Sequence, residues 1–393
     1  MTSPPRRILQ LSSDWKWTGP AEPMLVLAGA LRARGAAVWV ACPPAPADAE
    51  RSLAGEARAR ALGPALELAP GRAARPLADR PDVARLSDFL TASDVEIVHC
   101  WHTRDHLLAL RAAHARRRAG RTAVVRSWRA AEPLPRAPWS RWLFGPGADG
   151  LLVPSPALAA ALGDGRRPVA GHFGAVDLTR FAPAPPDTGV RRALGLAPAH
   201  RVLGVVARVQ RHRRFDLLLA AAARLFARLP EARLVIVGRG THREELAERP
   251  AAALGIADRV VFAGHRGDDY PAVLRALDLL AYLVPGSDGT CRAVLEAAAC
   301  GLPAVVSRRG ALPEIVAHGE TGLVVDEDPE ALARAWEALL RDDARRRALG
   351  AAARRRAEAL FAPERFAEAA ERLYAAAVRR PVSAQLWSRT SSA

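Results

Sequence analysis

Short runs rich in Val, Leu and Ile recur along the chain, each followed by an Ala- and Arg-rich segment of helix length. This alternation constrains the fold more than any other feature. Repeated strand, crossover helix and strand units close as a parallel sheet with helices on both faces. In the first half the strands read as residues 8–11, AAVWVACPP, VEIVHC, TAVVRSW and DGLLVPS, with a helix-like run MLVLAGALRARG ending on Gly35. Glycine suits that end because it takes the left-handed conformation without a Cβ clash.

The Pro-rich stretch 176–200, with APAPPD and LAPAH, interrupts the array, since proline neither donates to a ladder nor continues a helix. The pattern then restarts with strands at RVLGVVARV, ARLVIVGRG, RVVFAGH, LLAYLVP and PAVVS and helices at LLLAAAARLFARL and AVLEAAAC. At 393 residues the chain exceeds one ordinary domain of roughly 100–200 residues. The expected organisation is an N-terminal Rossmann-like domain over 1–183, a C-terminal one over 184–365, a closing helix over 366–379, read from the amphipathic run PERFAEAAERLYAAAV, and a disordered tail over 380–393. In doubly wound sheets, ligands bind at the carboxyl ends of the strands.

Half the residues are hydrophobic and a quarter charged, which excludes a disordered or fibrous chain. The formal charge of +16 favours anionic partners. Lys16 is the one lysine, however, and arginine rises together with Ala, Gly and Pro, so a compositional bias accounts for much of the excess. Nine Trp residues, some flanked by arginine, raise base stacking as a reading, yet no RRM, KH or zinc-finger pattern accompanies them and no specific nucleic-acid partner is expected. Trp139 and Trp142 suit an amphipathic edge facing membrane or acceptor. Cys42, Cys100, Cys291 and Cys300 form no CxxC pair, which implies a reduced, cytoplasmic protein. No stretch reaches the roughly 18–20 apolar residues of a bilayer span, so any contact with the inner face of the cell membrane is expected to be peripheral.

The most informative segment is PGSDGTCRAVLEAAACGLPAVVS, residues 285–307, with Asp288 and Glu296 separated by seven residues and Gly289, Thr290 and Cys291 between them. The first acid stands where a helix start would offer free N–H groups to an anion such as a diphosphate. The second lies two turns along, where a carboxylate can accept paired hydrogen bonds from ribose. An N-cap Asp with a surface Glu is the plainer reading of the same pair. With the A-x-G-x-P that follows, the segment resembles the retaining GT-B glycosyltransferases of family 4, in which the first acid contacts the donor sugar and the second the ribose. The first acid is usually Glu there, and Asp is one methylene shorter.

A second block, VARVQRHRRFDLLLAA, is similar to the family's G-R-L-x-x-x-K-G-x-D-x-L, with Arg208 at the Arg position, Arg213 at the Lys and Arg214 at the Gly. The resemblance implies that Arg208 and Arg213 neutralise the leaving diphosphate, Arg keeping the charge of Lys but not its geometry. GAVDLTRFAP, residues 174–183, resembles the family's domain junction, and VVFAGH leads into the nucleobase loop, here Gly264 to Arg266. The GxG of GRGTHREEL lacks the third glycine of a dinucleotide site.

The N-terminal half matches more loosely. Gly19 holds the place of a glycine-rich turn that approaches donor phosphate and acceptor. VEIVHCWHTRDHLLAL resembles the family's D-V-V-H-x-H, with His99 a packed strand residue, His102 the candidate to hold an acceptor hydroxyl or share its proton, and His106 facing solvent at a helix start. Arg129 stands where many members have a His that contacts the transferred sugar, and Arg acts there as a cation alone.

Together the resemblance implies an α/β protein of the GT-B fold, two doubly wound Rossmann-like domains facing a central cleft. It implies a retaining enzyme that moves a sugar from a nucleotide diphosphate sugar to a sugar or lipid-linked acceptor in envelope polysaccharide, lipopolysaccharide or glycolipid synthesis, with no metal or other cofactor. Two alternatives stay open: an altered relative such as a nucleotide-sugar epimerase, and a non-catalytic protein binding nucleotide sugars or other anions.

Overall fold

The computed structural model describes residues 6–17, 20–129, 134–135, 137–163, 165, 167–285 and 291–379. Gly19, the acidic Asp288 with Gly289 and Thr290, and the tail 380–393 lie outside the described residues. The chain forms two compact units. The first joins residues 1–175 to 363–393 and the second spans 176–362.

Among the described residues the first unit holds one parallel sheet of seven strands: β1 (Arg7–Leu11), β2 (Ala37–Cys42), β3 (Pro64–Glu67), β4 (Ile97–Cys100), β5 (Ala123–Ser127), β6 (Gly150–Val153) and β7 (Val169–Gly171), in the order β3-β2-β1-β4-β5-β6-β7. The second holds six: β8 (Arg201–Val206), β9 (Ala232–Val237), β10 (Val260–Gly264), β11 (Leu279–Tyr282), β12 (Ala304–Ser307) and β13 (Gly322–Val325), in the order β10-β9-β8-β11-β12-β13. Order reverses once in each, between β1 and β4 and between β8 and β11.

Central strands are buried on both faces, which is why they read as continuous apolar runs. β3, β7 and β13 went unread in the sequence. Each is an edge strand of three or four residues, paired on one side, so neither length nor pattern distinguishes it from a loop. In the second unit, helices Phe215–Arg228 and Pro329–Arg341 pack together over the sheet around the fully buried Trp336.

The unit boundaries differ from those the sequence suggested. The Pro-rich stretch 176–200 lies within the second unit, where Val176 N–H donates to Phe361 O at 2.9 Å, so the division falls at 175/176 and not at 183/184. The closing helix begins at Pro363, and packing places it in the first unit. Phe366, Ala367, Ala370, Leu373, Tyr374 and Ala377 join the core formed by Ile8, Met24 and Leu27. Gly150 in β6 admits this helix, since a Cβ there would stand 3.0 Å from Leu373 Cδ1.

The helix is also tied to the sheet by polar contacts. Tyr374 hydroxyl lies 2.7 Å from His99 Nδ1, and His99 Nε2 lies 2.8 Å from Ser127 Oγ. Trp101, stacked on His99, donates its indole N–H to Gln10 at 2.8 Å. His99 is therefore a packed strand residue, and burial, then the charge of Arg126, pushes its pKa down to about 3. His106 is also buried, where solvent was expected; its Nε2 meets Gly147 O at 3.0 Å, and burial, then Arg126, lowers it to about 3.

Unfolding returns both rings to the ordinary value near 6.5, so below that pH the unfolded chain binds protons that the folded chain refuses. Stability is accordingly full above pH 6.5 and falls with acid toward the folded value, by about 1.4 kcal/mol per pH unit per histidine. Urea midpoints measured from pH 7 to pH 5 should fall, and less steeply in His99→Gln; a midpoint independent of pH across that range contradicts this account.

Candidate functional site

A parallel sheet offers a ligand crevice where its strand order reverses, at the carboxyl ends of the two strands that part there. In the second unit those are β8 and β11. The loop after β8 carries Arg208 and Arg213, and the loop after β11 leads into the acidic segment and Glu296. Loops about 80 residues apart in sequence thus leave the ends of two paired strands.

Arg208 is exposed just past β8. Arg213 is turned inward: its guanidinium donates to Val284 O at 2.8 Å and Pro285 O at 2.9 Å. It joins the two loops of the crevice by holding the backbone that leads into the acidic segment. Between Arg213 and the helix Phe215–Arg228 stands Arg214, at φ 55 and ψ 43, in the left-handed region. This explains the glycine of the related motif, which enters that region without a Cβ penalty. Here an ion pair with Glu327 at 2.7 Å holds the arginine in place.

The helix after the acidic segment is Arg292–Ala299, with the buried Cys291 at its N-cap. It starts later than the sequence suggested, four residues past Asp288, so Glu296 lies one turn along it and not two. Glu296 is buried, accepts the Tyr270 hydroxyl at 2.9 Å on Oε2, and accepts Arg292 Nε at 2.7 Å on Oε1. At the end of β10, Gly264 sits at φ 70 and accepts the Gly238 N–H at 2.8 Å. Arg266 folds onto its own loop, donating to Ala263 O at 3.0 Å and Asp269 at 2.9 Å. Gly238 and Gly240 have a structural reason: a Cβ on either would overlap Ala207 O or Val209 O of the adjoining loop.

In the first unit the reversal lies between β1 and β4. His102 caps the helix Thr103–Ala112 directly after β4, and Asp105 is the hub of the turn. Its carboxylate accepts backbone N–H groups from Ser13 at 2.7 Å, Trp101 at 3.1 Å and His102 at 2.7 Å, and lies 3.2 Å from His102 Nδ1. Burial alone would raise the Asp105 pKa, but these bonds and the charges of His102 and Arg126 bring it below the ordinary carboxylate value. On the far side of the ring, His102 Nε2 is buried and has no hydrogen-bond partner among the described residues.

Arg129 follows β5 with its guanidinium 5.6 Å from the Trp101 ring centroid. Sequence reasoning missed Arg126, which is buried, donates to Cys100 O at 3.2 Å and has its pKa lowered to about 10, chiefly by burial. A cation inside an apolar parallel strand was the available signal. Trp139 and Trp142 are 60% and 38% exposed on the helix Pro138–Phe144. Among the described residues no group of three His, Cys, Asp or Glu stands close enough to hold a metal ion, and no helix is long and apolar enough to cross a membrane.

The strain at Arg214 is testable without a ligand. Arg214→Gly and Arg214→Ala both lose the ion pair, and the glycine variant should be more stable by about 1 kcal/mol because it alone escapes the left-handed penalty. Equal urea midpoints contradict a strained Arg214.

A family model described as glycosyl transferases group 1 matches residues 189–356, and one described as glycosyltransferase family 4 matches residues 24–180. The D-inositol 3-phosphate glycosyltransferase of Rhodococcus opacus is 40% identical over 191 residues, covering 46% of this chain and 42% of its own length. The lipopolysaccharide core biosynthesis mannosyltransferase LpsB of Rhizobium meliloti is 34% identical over 250 residues, 61% of this chain and 69% of that one. This chain spans less than half the length of the first curated relatives it matches. The crystal structure of Anabaena HepE in complex with UDP aligns with a TM-score of 0.75 over 92% of this chain and 97% of that one, at 19% identity, a likeness of fold.

Proposed function

Because the chain belongs to the group 1, family 4 glycosyltransferases and has their GT-B fold, we propose that it transfers a sugar, with retention at the anomeric carbon, from a nucleotide diphosphate sugar to a hydroxyl of a sugar or lipid-linked acceptor. The observation that supports this reading is the reversal of strand order between β8 and β11, with Arg208 and Arg213 on the loop after β8 and Glu296 on the helix that follows β11. UDP in the HepE crystal and the mannosyltransferase and inositol phosphate glycosyltransferase names of the relatives support a nucleotide sugar donor and a hydroxyl acceptor in envelope or glycolipid synthesis.

In this reading Glu296 accepts the ribose hydroxyls, and Gly264 and Arg266 border the base. Asp288 orients the donor sugar, while Gly289, Thr290 and Cys291 lead into a helix N-terminus favourable to the diphosphate. Arg208 supplies positive charge to the leaving group directly. Arg213 acts through structure, holding the Val284 and Pro285 carbonyls and so the backbone that leads to Asp288. The acceptor oxygen bonds to the anomeric carbon as the bond to the diphosphate breaks on the same face, and the acceptor proton passes to a diphosphate oxygen. No protein nucleophile is needed, and the catalysis is positioning and charge stabilisation. On the acceptor side, His102 Nε2 accepts a hydroxyl hydrogen bond, with Gly19 and Arg129 beside the substrates; any membrane contact is peripheral.

Calorimetric titration with UDP-, GDP- and ADP-sugars tests this. One donor should bind, and Arg208→Ala should weaken it about tenfold or more, as expected for loss of a charge-assisted phosphate contact, without shifting the thermal midpoint. Absence of binding by every donor rejects the transferase reading. Binding with no nucleoside diphosphate release in the presence of candidate acceptors favours the non-catalytic alternative.

A further inference from the structure

Glu296 is not held by its own helix alone. Arg292, one turn earlier, moves with the helix and is 42% exposed. Tyr270 belongs to a different element, the first residue of the helix Tyr270–Arg275 that follows β10 and the loop with Gly264 and Arg266. Its hydroxyl reaches Glu296 Oε2 at 2.9 Å across a separation of 26 residues. The ring is held in turn. Phe181 meets it edge to face at 5.8 Å between centroids, and Arg180 lies over Phe181 while donating to Gly267 O at 3.0 Å. Burial, ahead of the charge of Glu296, pushes the Tyr270 pKa well above its ordinary value, so the phenol keeps its proton and acts as a donor.

A glutamate has three rotatable bonds, and ordering it costs conformational entropy when its ligand arrives. A carboxylate offers about four acceptor positions, and Tyr270 and Arg292 are two of the donors that orient this one, one on each oxygen. We propose that Tyr270 is a positioning residue for nucleotide recognition, fixing the Glu296 carboxylate for paired hydrogen bonds from the 2′- and 3′-hydroxyls of a ribose and tying it to the loop after β10. This rests on the reading of Glu296 as the ribose acceptor given above. The sequence carried no sign of it, because the partner lies on another strand-to-helix connection.

The test is calorimetric titration of the full chain, wild type, Tyr270→Phe and Glu296→Gln, with UDP, GDP and ADP and with their 2′-deoxy counterparts. The wild type should favour one ribonucleotide over its deoxy form, and Glu296→Gln should abolish most of that preference. Tyr270→Phe removes one oxygen and should cut the preference about three- to tenfold while leaving affinity for the deoxy form unchanged, as loss of an orienting hydrogen bond requires. A collapsed preference in Glu296→Gln with an intact one in Tyr270→Phe overturns the role of Tyr270. An intact preference in Glu296→Gln overturns the reading of Glu296, and the Tyr270 proposal with it. Equal weakening of both forms in Tyr270→Phe, with a lowered thermal midpoint, marks a structural role and also overturns the proposal.

Discussion

A parallel sheet buried on both faces satisfies its backbone within itself, and its helices cover the remaining apolar surface, so polar side chains gather at the strand ends. The reversal of strand order then decides which ends diverge. In this chain the reversal between β8 and β11 brings the basic loop after β8 to the connection that carries Glu296, and the reversal between β1 and β4 brings Ser13 to His102 and Asp105. The join between Arg213 and the Val284 and Pro285 carbonyls depends on that topology.

Arginine does much of the fastening. Arg104 is fully buried and pairs with Asp79 and Asp82 while donating to Ala69 O; Arg117 pairs with Asp149; Arg346 donates to Leu339 O and Leu340 O. A planar guanidinium with five donors suits this bridging of carboxylates and carbonyls, and Lys would not reproduce it. The surplus of arginine is therefore partly structural, which weakens any inference from net charge to a nucleic-acid partner. The same behaviour appears at the site, where Arg213 holds backbone carbonyls instead of pointing freely at a ligand.

Legibility followed distance along the chain. Central strands, the closing helix and the motif register were readable because apolar runs, caps and spacings are local signals. The glycine position occupied by Arg214 was readable as a departure, and its φ of 55 supplies the reason for the glycine. What stayed hidden was non-local: the docking of helix Pro363–Val378 on the first unit, the contact of Tyr270 with Glu296, and Asp105 as the hub of the β4 turn. The edge strands were hidden by their shortness, and the late start of the helix at Arg292 by the absence of a Ser, Thr, Asp or Asn at its cap, where Cys291 stands.

The central claim is that the strand ends at the β8/β11 reversal hold a nucleoside diphosphate. Hydrogen–deuterium exchange of the full chain, with and without UDP, GDP or ADP, reads this segment by segment. Slowed exchange over residues 207–214, 264–270 and 284–300 with one of the three is the expected result. Saturable binding accompanied by protection confined to the first unit, or elsewhere in the second, would contradict it.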